Sequence, residues 1–153
     1  MVPGMLYEQI MRSALIYEHI IESMHDGVFT IDNSGTIIMV NPSAVKILAI
    51  AKEDILNKKY SEVFFRYPEN DDFNQVVLDA IYKSFMSHHK ICKYYTGKTI
   101  KHLFVTTSIL KVPDDNEVKT LGVNIIFSDI TEEHELRNAL AADKIKWSGI
   151  LKF

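Results

Sequence analysis

Residues 26–44 read DGVFTIDNSGTIIMVNPSA, and this stretch decides the fold. Two runs rich in β-branched and aromatic residues, Val28–Asp32 and Thr36–Val40, flank an Asn-Ser-Gly sequence at 33–35. Those three residue types tolerate the positive φ angles of a tight turn, so the stretch predicts a β-hairpin. The Asn-Pro pair at 41–42 then ends the second strand and starts a short helix over 43–50, because proline at a helix start loses no needed hydrogen bond.

An amphipathic helix is predicted before the hairpin, from Met5 to Met24, because apolar residues recur there at intervals of three and four. We expect it to end at the His-Asp-Gly sequence 25–27, with the glycine in the left-handed conformation. Its stripe contains five candidates for a dimer interface, which are Leu6, Ile10, Ala14, Tyr17 and Ile21. Each large apolar side chain contributes about 1.5–3 kcal/mol when fully buried, so we expect the stripe to pack against a second copy of the chain.

The rest of the chain predicts one longer helix, three strands and a final helix. Apolar residues from Phe73 to Phe85 share one helical face, and Asp71 or Asp72 is placed to cap that helix. The three strands are predicted at 90–95, 98–110 and 120–129, with turns at 96–97 and 113–116. The order of elements predicts an α+β fold, an antiparallel sheet with helices packed on one face.

Alternation in the last predicted strand assigns its two faces. We expect Leu121, Val123, Ile125 and Phe127 to form the core side, opposite Gly122, Asn124, Ile126 and Ser128. Ile126, with Phe104 or Leu110 in the neighbouring strand, places apolar groups on the outer side. We expect the N-terminal helix or a partner chain to cover that face.

Composition excludes several classes of protein. The 153 residues are 47% hydrophobic and 24% charged, which is typical of one soluble globular domain. A net charge of -3 argues against nucleic-acid binding, and no apolar run approaches the roughly 20 residues of a membrane helix. Cys92 is the one cysteine, which excludes an intrachain disulfide and fits a reducing compartment. We therefore expect a cytoplasmic protein whose chain makes no membrane contact.

The sequence resembles a known family at both ends of the predicted domain. Residues 21–28, 32–37 and 40–44 are similar to the opening of bacterial PAS domains, and Phe-Ser-Asp-Ile-Thr-Glu at 127–132 resembles their exit motif. The resemblance implies a five-stranded sheet with helices over one face, a ligand cleft, dimerisation through flanking helices, and an output domain such as a histidine kinase, cyclase or transcription regulator. It divides the chain into an N-terminal dimerisation helix (1–25), a PAS domain (26–130), and a C-terminal signalling helix with a tail (131–153).

Two functions remain open at this point. The first is sensing of a small-molecule or redox signal, transmitted to the output domain through Asp129, Ile130 and Thr131, where the threonine hydroxyl is placed to cap the last helix. Seven residues are candidates for the lining of a ligand cavity, or alternatively for plain core: Phe73, Val77, Ile81, Leu103, Val105, Ile125 and Phe127. The second function is a ligand-free interaction and dimerisation module.

No cofactor, metal site or catalytic set is predicted. The photosensing flavin-binding relatives carry a cysteine in an Asn-Cys-Arg-Phe pattern that this sequence lacks. Haem-binding relatives use a histidine on the long helix, whereas His88 and His89 fall at or past its end. The acidic residues Glu69, Asp71 and Asp72 lack an EF-hand pattern, and no phosphate-binding glycine loop, nucleophile elbow or His-Glu-x-x-His pair is present. The identity of a ligand and the role of residues 144–153 stay open.

Overall fold

A computed structural model describes residues 3–150, with side chains described for 4–142. The elements are α1 (Pro3–Ser23), β1 (Gly27–Asp32), β2 (Ile37–Val40), α2 (Pro42–Leu48), α3 (Tyr60–Phe64), α4 (Asp71–Tyr82), β3 (Lys90–Tyr95), β4 (Ile100–Asp114), β5 (Glu117–Asp129) and α5 (Thr131–Ile150), with 3₁₀ turns at Lys52–Asp54 and Pro68–Asn70. The five strands form one antiparallel sheet in the order β2-β1-β5-β4-β3, which confirms the predicted α+β fold. None of the helices in this described part combines the length and apolarity needed to cross a membrane.

The predicted hairpin of β1 and β2 is present, with Phe29 opposite Val40. The predicted turn at 113–116 is wrong in its position, because Pro113 lies within β4 and pairs with Val118. The turn instead consists of Asp115 and Asn116, with φ angles of 43° and 68°. Asp and Asn tolerate this left-handed conformation, and two such residues in succession form a tight two-residue hairpin. β4 and β5 are therefore longer than predicted.

The prediction that Leu121 lies on the core side of its strand is wrong, because β5 contains a β-bulge at this residue. Leu110 pairs with Gly122, but the next pair is Lys111 with Thr120, so Leu121 has no partner in the ladder. One extra residue in a strand shifts the alternation of side chains beyond it. Leu121 is accordingly 37% exposed, whereas the three other predicted core residues of this strand are buried.

Gly27 does not end α1 in the left-handed conformation as predicted. It is the first residue of β1, and it is not among the glycines with positive φ. A Cβ atom at this position would lie 2.4 Å from Cε2 of Phe127, so a glycine is required by the close approach of a ring from β5. α1 ends at Ser23 instead.

The predicted cap of α4 is also wrong. Asp71 and Asp72 are the first two residues of the helix, and the residue before them is Asn70, whose side chain bonds to the backbone of Tyr95 rather than to the helix. The two carboxylates still lie at the positive end of the helix dipole, which favours them there.

α4 ends at Tyr82, and Phe85 lies beyond it with 62% of its surface exposed. α5 continues to Ile150, so it includes most of the tail (144–153) to which the sequence assigns no role, and residues 151–153 lie outside the described part.

Candidate functional site

The predicted cavity residues come together on the inner face of the sheet. Phe73 and Val77 of α4 pack over Leu103 and Val105 of β4 and the buried residues of β5. Six of the seven candidates are 0% exposed, and Ile81 is partly buried beside them. Phe73 lies edge-on to Phe127 with ring centroids 6.2 Å apart and edge-on to Tyr94 at 5.6 Å. These side chains pack against one another, and their role in ligand binding stays a prediction.

The core also contains hydrogen-bonded polar side chains, which the sequence analysis did not predict. The hydroxyl of Tyr60 donates to Oδ1 of Asn74 at 2.7 Å, and Asn74 donates to the backbone oxygen of Phe64. The Tyr94 hydroxyl donates to the backbone oxygen of Leu48 at 2.9 Å. Burial raises the pKa of both tyrosines well above the ordinary value, so both stay neutral hydrogen-bond donors. The Tyr60 hydroxyl joins α3 to α4, and the Tyr94 hydroxyl joins the end of α2 to β3.

Cys92 and His89, two of the residues considered as ligands, lie on different faces of the sheet. Cys92 is buried opposite Leu103, and burial raises the pKa of its thiol to about 11, which keeps it protonated and unreactive. His89 stacks on Phe104 on the outer face, with ring centroids 4.9 Å apart, and His88 is exposed. Among the described residues, no three His, Cys, Asp or Glu side chains are placed to share a metal ion.

Asn41 joins the N-terminal helix to the sheet. Its Oδ1 accepts hydrogen bonds from the backbone N–H groups of Val28 and Ala44, both at 2.9 Å, the second of which caps α2. Its Nδ2 donates to the backbone oxygen of Asp26 at 2.9 Å and of Ile21, near the end of α1, at 3.2 Å. Asn41 is 1% exposed. One buried amide therefore bonds to α1, β1 and α2 together.

The predicted transmission residues form a compact junction between the sheet and α5. The Asp129 carboxylate accepts from the Thr131 backbone N–H at 3.0 Å and from the Thr131 hydroxyl. The Thr131 hydroxyl oxygen accepts from the His102 backbone N–H at 3.0 Å, and the Ile130 N–H donates to the His102 backbone oxygen at 2.9 Å. Both hydrogen-bonding groups of one β4 residue are thus bonded to the start of α5. The prediction that the Thr131 hydroxyl caps the helix is wrong, because this hydroxyl bonds to Asp129 and to β4, and the Asp129 carboxylate accepts from the first N–H of α5 instead.

Both flanking helices attach at one place in the sheet. Gly27, the first residue of β1, pairs with Phe127 near the end of β5. The Ser128 hydroxyl donates to the Asp26 carboxylate at 2.8 Å, which joins the segment after α1 to the segment before α5. A shift of β5 would therefore move the attachment points of both helices.

α1 does not cover the outer face of its own sheet, contrary to one of the two expectations. Every residue from Gly4 to Ile20 is exposed, including Leu6, Ile10, Ala14 and Tyr17, and Ile21 is partly buried. The helix carries apolar side chains around most of its circumference, so its burial needs something other than this domain. An open groove of about 610 Å³ lies where the end of α1 meets α2, with Ile21, Val40 and Val45 among its walls.

Comparison with protein families identifies the PAS fold, whose family model matches residues 15–110. A curated relative, the signal transduction histidine-protein kinase AtoS of Escherichia coli (strain K12), is 28% identical over 149 residues. That match covers 95% of this chain but 23% of the kinase, so the chain spans less than a quarter of this relative.

Solved structures share the fold at low sequence identity. The PAS domains of a protein from Colwellia psychrerythraea and of BvgS from Bordetella pertussis each superpose with a TM-score of 0.58 at 14% identity, covering 78% and 88% of this chain and 98% of theirs. The E. coli DhaR(N)–DhaL complex contains a similar chain, with a TM-score of 0.58, 15% identity and coverage of 81% of this chain and 38% of that one.

Proposed function

This chain belongs to the PAS fold family, a family of regulatory sensor domains, and we propose that it transmits a small-molecule or redox signal from its core to an attached output domain. The histidine kinase relative favours a kinase as that output domain, with a cyclase or a transcription regulator as the other candidates. The signal would be received by the inner sheet face and the helices over it. α5 would carry the signal to the output domain, through a change in the position of the two α5 helices of a dimer relative to each other.

The junction at Asp129, Ile130 and Thr131 is the observation that supports this proposal. Its hydrogen bonds attach the first turn of α5 to β4 through both backbone groups of His102. β4 lies between β5 and β3 in the sheet, and the residue after His102, Leu103, is fully buried in the core. A displacement of the core side of β4 would therefore move the start of α5.

Replacement of Asp129 tests the transmission step. Asp129→Ala removes the carboxylate that orients Thr131, and we expect it to cost about 1 kcal/mol of stability, the usual value of a helix cap. The domain stays folded because the strands pair through their backbones. In the full-length protein, output activity should no longer respond to the signal, whereas the exposed neighbour variant Glu133→Ala should respond normally. A normal response of Asp129→Ala would exclude the junction as the route of transmission.

A second function, ligand-free dimerisation, is favoured by the exposed α1 and by the filled inner face. Ile10 is 58% and Tyr17 is 66% exposed, and both were predicted to contact a second copy. A two-fold interface would bury this stripe against a second copy of the chain. In this case the fold would orient output domains without receiving a ligand.

Native mass spectrometry at micromolar concentration separates the two functions and tests the dimer. We expect a dimer in both cases, with added mass of a retained ligand only for the sensor. Ile10→Asp should weaken the dimer about 100-fold, because each of two copies loses about 1.5 kcal/mol or more of apolar burial. The matched control is His19→Asp, which places the same charge on the opposite side of α1. A monomeric wild type, or equal loss in both variants, would contradict the predicted interface.

A further inference from the structure

Two histidines stack where α5 meets the sheet, and the functions considered so far do not use them. His102 of β4 and His134 of α5 have ring centroids 3.9 Å apart and ring planes 22° apart. His134 lies one turn into α5, where its backbone N–H makes an early hydrogen bond of that helix, to the Ile130 oxygen at 2.8 Å. The ring contact therefore adds to the backbone bonds that dock the helix.

The His102 ring is placed as a neutral imidazole. Its Nδ1 is buried, and none of the described residues makes a hydrogen bond to it. A protonated ring carries N–H groups on both nitrogens, and a buried donor without an acceptor is costly. Protonation of His102 in the stacked position would therefore leave such a donor at Nδ1.

The charged groups around His102 have opposing effects on its protonation. Lys93 faces His102 across the β3–β4 ladder, and His134 faces it from α5; a positive charge on either disfavours protonation. Glu135 of α5 and Asp129 at the end of β5 favour it. Burial is the largest influence, and together with His134 and Lys93 it lowers the pKa of His102 below the ordinary value of 6.5.

We propose that His102 and His134 form a proton-sensitive latch, which helps to hold the first turn of α5 against β4 at neutral pH and weakens on acidification. Histidine is suited to this role because its charge changes within the physiological range of pH. The latch would act on the same junction as the proposed signal transmission, and only its consequence for the output domain rests on that proposal. The docking of α5 against β4 involves residues of this chain alone.

The sign of the pH effect follows from the lowered pKa. The released helix leaves His102 in water, where it binds a proton more readily than in the docked state. Docking is therefore complete above pH 6.5 and weakens as the pH falls from 6.5 through the lower pKa of the docked ring. The unpaired donor that protonation of His102 creates at its buried Nδ1 weakens docking by about fivefold.

Amide hydrogen exchange measured by NMR tests the latch. Between about pH 7.5 and about pH 5, after correction for intrinsic exchange, the protection of the His134 amide should fall about fivefold more than that of Thr107 in β4, which bonds to the oxygen of Ser87 in the segment before β3. This excess should vanish in His102→Gln, because glutamine does not titrate, and it should become smaller in His134→Gln, which removes one of the influences on His102 but leaves its burial in place. It should persist in the control His88→Gln, an exposed site.

Side-chain titrations in the same samples give a second readout. The His102 ring should titrate below 6.5 in the wild type and move upward in His134→Gln, because its stacked neighbour is gone. Equal pH dependence at His134 and Thr107 in the wild type would overturn the latch. An excess that survives in both glutamine variants, or a His102 titration unchanged by His134→Gln, would overturn it too. None of these outcomes depends on an output domain. Failure of the latch can therefore be distinguished from failure of the proposed function.

Discussion

Phe73→Ala is expected to lower the free energy of unfolding by about 3–5 kcal/mol, the usual cost of removing a buried phenylalanine ring. Phe73 is 0% exposed and lies between the rings of Phe64, Tyr94 and Phe127, with centroid distances of 5.6 to 6.2 Å. Removal of the ring leaves a void that these neighbours cannot fill without leaving their own contacts. Urea denaturation monitored by circular dichroism measures the change.

The same helix offers a matched control for this variant. Tyr82 is the last residue of α4 and is 74% exposed, so Tyr82→Ala should change stability by no more than about 0.5 kcal/mol. If Phe73→Ala cost less than about 1 kcal/mol, the inner face would be loosely filled. That result would favour an open ligand cleft over the packed core described above.

Asn41→Ala is expected to cost about 2–4 kcal/mol, because it removes a buried side chain that makes four hydrogen bonds to the backbone. The N–H groups of Val28 and Ala44 lose their side-chain acceptor, and unsatisfied buried groups cost roughly 1–3 kcal/mol each. The carbonyl oxygens of Ile21 and Asp26 lose a donor as well. Denaturation again measures stability, and limited proteolysis should show faster cleavage within α1.

Asn33→Ala is the control for this substitution. Asn33 is exposed and makes one hydrogen bond, from Nδ2 to the Thr120 backbone oxygen at 2.8 Å, so its loss should cost less than about 1 kcal/mol. Equal stability of Asn41→Ala and wild type would show that the four bonds contribute nothing to folding. Unchanged cleavage of α1 would show that Asn41 does not hold that helix.

The parts of the fold that were predictable are those encoded by neighbouring residues. The Asn-Ser-Gly turn at 33–35, the periodicity of α1 and the Thr131 helix start each depend on a few adjacent positions, and all three are present. The misplaced turn at 113–116 had the same local basis, but Pro113 can join β4 because that stretch of the hairpin extends beyond the rest of the sheet.

The remaining errors and omissions involve residues far apart in sequence. Gly27 reads locally as a helix stop, yet its lack of a side chain is needed because Phe127, 100 positions later, occupies that space. The bulge at Leu121 depends on the register between two strands and has no local signature. The same holds for the candidate site: His102 and His134 are separated by 32 positions, and no periodicity predicts that their rings meet.

The central claim is that the Asp129–Thr131 junction couples the sheet to α5, and amide exchange in Asp129→Ala at neutral pH tests it most directly. We predict that the Ile130 and His134 amides lose protection while the Thr107 amide keeps it, because the sheet pairs independently of the cap. Retained protection at Ile130 and His134 in a folded variant would contradict the claim, since α5 would then be held to β4 without the junction.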